Sequence, residues 1–238
     1  MGEVGIIARR LEGGTRVQYG CCGNGGYFKG AGLRLLSWYE DADLVEYLFG
    51  LGQTKLIGKP GSENGGEPPL LTHWLDGTPF YLGKSEREIF SQIAFIDYGY
   101  FYDLDNTWYY IIPGPFRIKI PLWYVYNHLD AENYEFEERY RIDNQVATYI
   151  LEEYYKHDMD FQDLIRDKCP KGIDSIKDDI LKFRDPCLRI LENYKFIYDY
   201  FDDWILVKPS EDYSFIKQIV LKKNQKSNET RRIETIDW

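Results

Sequence analysis

Two adjacent thiols, Cys21 and Cys22, lie in a stretch where eight of the twenty residues from Gly13 to Gly32 are glycine. Amides at a loop and helix start lower a thiol pKa and make it nucleophilic. A hydrolase built on such a thiol also needs a base, and His73, His128 and His157 are the three histidines. The competing reading is one buried thiol beside one incidental thiol. Cys169 and Cys187 lack the paired two-residue spacing of a structural zinc site.

The same glycines suggest anion chemistry. Gly23, Gly25, Gly26, Gly30 and Gly32 precede a helical stretch, and free N–H groups at a helix start attract phosphate, with Lys29 and Arg34 as candidate counter-charges. The stretch fails the specific tests, however. Lys29 stands between Phe28 and Gly30 rather than before Ser or Thr, and the flanking pattern reads as a hairpin rather than the parallel unit of a dinucleotide site. A turn-forming loop is the alternative. Carboxylates cluster at Glu135, Glu137 and Glu138, at Glu152 and Glu153, and at Asp103 and Asp105. The loop after Asp103 lacks the calcium ligand series, so solvated helix faces and turn-stabilising aspartates are the ordinary reading.

Aromatic residues are abundant, with 21 Tyr, 13 Phe and 6 Trp. Tyr98, Tyr100 and Tyr102 recur at every second residue and therefore share one strand face. Exposed, that row is a platform for stacking bases or a protein-contact surface; buried, it packs against helices.

The elements that must position these groups follow from composition and period. A chain of 238 residues, 44% hydrophobic and 29% charged, has the balance of a globular protein of one large or two small domains. With no apolar run long enough to span a bilayer and no signal-peptide pattern, the expectation is a cytosolic protein with free thiols. The net charge of −10 argues against broad binding to nucleic acid or anionic membrane. Residues 1–129 carry 11 basic and 14 acidic groups, residues 130–212 carry 12 and 22, and residues 213–238 carry 6 and 3, so the middle segment holds the acidity.

Val4–Ala8 and Thr15–Tyr19 flank Gly13-Gly14 as a hairpin. A helix over Leu33–Tyr39 follows, then a second capped by Asp41 or Asp43 with Leu44, Tyr47, Leu48 and Leu51 at helical spacing. Gly58–Pro69 reads as a loop. Ile93–Tyr102 and Trp108–Ile112 form a second hairpin, and Phe116–Ile120 alternates as a further strand. Beyond a boundary near Asn127–Asp130, helices are predicted at Asn144–Lys156, Ile173–Phe183 and Pro186–Tyr200. Trp204–Val207 reads as a short strand, Phe215–Leu221 as strand or helix, and the end as a loosely held tail. The expected class is α+β: an N-terminal antiparallel sheet with two helices over 1–128, a mainly helical acidic region over 129–221, and a polar tail over 222–238.

Gly5-Ile6-Ile7-Ala8-Arg9, Gly26-Tyr27, Gly32-Leu33-Arg34-Leu35-Leu36, Tyr39-Glu40-Asp41 and Val45 to Gly52 together resemble a family of uncharacterised bacteriophage and prophage proteins. Asp97 to Asp103 and Trp108-Tyr109-Tyr110 are similar to its downstream hairpin. The resemblance covers roughly residues 4–112. At the family's His-Trp-Asp-Gly-Tyr motif this chain has Gly23-Asn24-Gly25 before the retained Gly26 and Tyr27. The family has no established activity, so the resemblance implies a phage origin and carries over no catalytic residue.

From that origin the first expectation is a noncatalytic accessory protein in the host cytosol. It would inhibit a host defence or nucleic-acid-processing complex, such as a CRISPR effector or other nuclease, without binding nucleic acid directly and without membrane or cofactor. Its partner-binding residues would be Glu135, Glu137, Glu138, Glu152 and Glu153, whose acidity competes for a basic nucleic-acid channel, with Tyr98, Tyr100 and Tyr102 supplying burial. The alternatives are a nucleotide or small-anion binder or hydrolase using Gly25, Gly26, Lys29 and Arg34, and a phage structural component. Oligomeric state is left open.

Overall fold

The computed structural model describes residues 4–23, 26–54, 56–61, 78–83, 89, 97–112, 118–128, 136–182, 193–201, 205–209 and 216–221. For 127–128, 136–142, 182, 198, 208–209 and 216–221 this is backbone alone. The chain is α+β and divides into two units, residues 1–111 with 119–133, and 112–118 with 134–238. No described helix is long and apolar enough to cross a membrane.

In the first unit the strands are β1 (Gly5–Arg10), β2 (Val17–Cys22), β3 (Tyr81–Gly83), β4 (Tyr98–Tyr102), β5 (Trp108–Ile112) and β6 (Ile118–Pro121), in the spatial order β3-β2-β1-β4-β5-β6. β1 and β2 form the expected hairpin, whose turn needs the left-handed Gly13 and Gly14 at φ 87° and 76°. β4 and β5 form the second, with Asn106 at φ 57° in the turn. The sheet is nevertheless mixed rather than antiparallel throughout, because β4 pairs parallel with β1. The excursion from residue 23 to 97 makes this possible, since parallel neighbours need a long crossover.

That excursion contains a π-helical turn (Phe28–Gly32), α1 (Leu33–Trp38) and α2 (Ala42–Gly50). Asp41 caps α2 by accepting the Leu44 N–H at 2.8 Å, and Val45, Leu48 and Phe49 form its buried stripe. After β6 comes α3 (Leu122–His128), which period alone did not predict: its Trp, Tyr and Val residues carry strand propensity. β3 was not predicted either, being only three residues long.

The second unit contains α4 (Phe136–His157), α5 (Met159–Lys168), α6 (Ile173–Lys182), α7 (Lys195–Tyr200) and a hairpin of β7 (Ile205–Pro209) with β8 (Ile216–Leu221). α4 starts eight residues before the predicted Asn144. α5 was unpredicted; Asp158 caps it by accepting the Phe161 N–H at 2.9 Å, and it buries only Phe161 and Ile165, too few to raise a periodic signal. Phe201 lies edge-on to Tyr154 at 4.7 Å and beside Phe161 at 5.3 Å, gathering α4, α5 and the end of α7 into one core. The predicted helix from Pro186 falls outside the described residues up to 192, as do the loop beyond residue 61 and the tail from 222.

Candidate functional site

Alternation along the central hairpin gives the first unit two faces with different chemistry. Tyr98, Tyr100 and Tyr102 share one face with Trp108 and Tyr110, and all five are buried. Phe28 from the π-helical turn stands edge-on to Tyr98 at 5.2 Å and Tyr110 at 4.8 Å. The Trp108 indole donates to the Tyr39 carbonyl at 2.7 Å, and the Tyr100 hydroxyl to the Gly26 carbonyl at 2.7 Å. The tyrosine row expected at a partner surface is thus the interior of this unit, where the Tyr100 hydroxyl ties the glycine stretch to the sheet.

The opposite face carries charge. Phe101 of β4 and Tyr109 of β5 are cross-strand partners, and Lys119 of β6 lies over both rings, 4.5 Å from Tyr109 and 5.5 Å from Phe101. Its ammonium, 0% exposed, donates to Asp103 Oδ2, while Arg10 Nε donates to Asp103 Oδ1 at 2.6 Å. Arg10 also donates to the Gly14 carbonyl at 3.0 Å and sits over Phe101 at 5.2 Å. Burial pushes the Asp103 carboxyl up, but Lys119 and Arg10 outweigh it and hold the group well below the ordinary carboxylate range. Asp105 accepts the Tyr109 hydroxyl at 2.6 Å; burial and that bond raise the phenol. The turn is stabilised by its own aspartates, as expected, Asp103 Oδ1 accepting the Leu104 N–H at 2.9 Å and Asp105 Oδ1 the Thr107 N–H at 3.3 Å. Asp103 in addition joins an ion cluster with Arg10 of β1 and Lys119 of β6.

The glycine stretch is a packing device. A Cβ at Gly26 would meet Gly5 N at 2.1 Å, and one at Gly32 would meet the Tyr126 hydroxyl at 2.6 Å. Its amides bond within the protein, Gly23 N–H to Thr54 O at 3.2 Å and Gly30 N–H to Tyr27 O at 3.0 Å. Arg34 donates to the Ile57 carbonyl at 2.9 Å and lies over Trp38 at 5.6 Å, while Lys29 is exposed. Gly25 lies outside the described residues.

Cys22 is 0% exposed and its thiol is pushed up by burial to about 12, with Arg34 lowering it only in part. Burial also raises Cys21. Both are therefore poor thiolates in this setting. In the folded protein at pH 8, Cys22 should react with a thiol reagent more than about a hundredfold slower than after denaturation, a ratio read by timed alkylation and peptide mass analysis. Equal rates would mean that β2 does not shield it.

Of the acidic candidates, Glu152 on α4 is exposed and accepts from Lys177 at 2.9 Å. Glu153 is buried, its Oε2 3.3 Å from His157 Nε2 one helical turn on. Glu137 and Glu138 lie in the first turn of α4, and Glu135 is outside the described residues. α5 adds carboxylates that were not singled out from sequence: Asp160, Asp163 and Asp167 occur at steps of three and four, a stripe opposite the buried Phe161 and Ile165. All three are exposed. Asp163 pairs with Arg166 at 2.8 Å and Asp167 with Lys168 at 2.9 Å, surface contacts that solvent and salt weaken.

The chain matches no protein-family model, no curated protein and no solved structure.

Proposed function

We propose that the protein is a phage-borne, noncatalytic binding protein that disables a host defence or nucleic-acid-processing complex of the guided-nuclease type in the host cytosol. One observation carries the reading: the exposed carboxylate stripe Asp160, Asp163 and Asp167 on α5, with Glu152 on α4 and Asp174 and Asp178 on α6 also exposed. A helix face of this kind offers carboxylates to the basic channel in which such a machine holds DNA or RNA, and it steers association electrostatically. The phage resemblance of residues 4–112 is the second support. Capture from a host lysate followed by a cleavage assay tests the proposal. A stoichiometric nuclease partner whose cleavage is blocked supports it, and a partner whose cleavage is unaffected overturns it.

The electrostatic part has its own expected outcome. With such a partner in hand, changing Asp160, Asp163 and Asp167 to Lys should slow association by about tenfold at low salt. The gap should close as salt rises, since exposed charges are screened beyond ~8–10 Å near physiological ionic strength. Stopped-flow mixing at several salt concentrations reads this, with circular dichroism confirming that the helices survive. If the triple variant binds at the parent rate with the parent salt dependence, the stripe serves solubility.

A further inference from the structure

We draw no further inference here: the strongest candidate, the edge strand Tyr81–Gly83 at the end of the first unit's sheet with Tyr81 and Leu82 more than half exposed, carries nothing because nothing in the structure shows what covers it.

Discussion

Replacing Asp103 with Asn is expected to destabilise the protein by about 3–5 kcal/mol at neutral pH, the range for removing one partner of a buried ion cluster. The substitution keeps the side chain's shape but removes the carboxylate charge that pairs with both Arg10 and Lys119, and Lys119 is buried. Urea unfolding should show a lower midpoint at nearly unchanged slope. Asp105→Asn, at an exposed site two residues on, should change stability by less than about 1 kcal/mol. Adding Lys119→Met to Asp103→Asn should recover part of the loss, because a buried ammonium that has lost its Asp103 carboxylate is gone. The pH dependence has a definite sign. The native Asp103 pKa is depressed, so its contribution is complete above the unfolded value of ~3.9 and is lost as pH falls from there through the native value. The gap between wild type and Asp103→Asn should therefore hold from neutral pH to about pH 5 and narrow below that. A gap of under about 1 kcal/mol at pH 7 would show that the cluster's desolvation cancels its attraction.

Gly26→Ala should be as severe, with a loss of about 3 kcal/mol or more, because overpacking against groups that cannot move exceeds the ordinary range. The atoms that an added methyl would meet are Gly5 N at 2.1 Å, Gly5 Cα at 2.6 Å and Val4 C at 2.7 Å, all backbone, of the first residue of the paired strand β1 and of the residue before it. A fall in melting temperature of roughly 6–12 °C corresponds to that figure for a chain of this size. Gly50→Ala is the control. It lies at the end of α2 with open space where the methyl would go, so it should be neutral or stabilising by up to about 1 kcal/mol. If both variants melt with wild type, the glycine stretch is not held against β1, and the anion-loop reading regains its footing.

Much of the local architecture was legible before any coordinates. The first hairpin, α1, α2 with its Asp41 cap, the β4–β5 pair and α6 all stand where period and punctuation put them. The misses share a cause. α3 and α5 are held by packing around sequences of weak or contrary periodicity, and β3 is three residues joined to β2. Among the candidate site residues, residue type suggested the chemistry, but burial decided its use. Tyr98, Tyr100 and Tyr102 went inside, and Cys22 was buried with its thiol pKa raised.

The sequence by itself determined the α+β class, the acidic middle segment and the positions of turns and caps, because those depend on residues within a turn or two of one another. Only the tertiary structure decided that β1 lies parallel to β4, that Lys119 of the alternating Ile118-Lys119-Ile120 is buried with its neighbours, and that one carboxylate meets two cations. Arg10 and Asp103 are 93 residues apart, and Lys119 and Asp103 are 16 apart. Local period encodes which face a side chain takes, but not what comes to cover that face. A charge is tolerable in the interior only when chain-distant partners arrive with it.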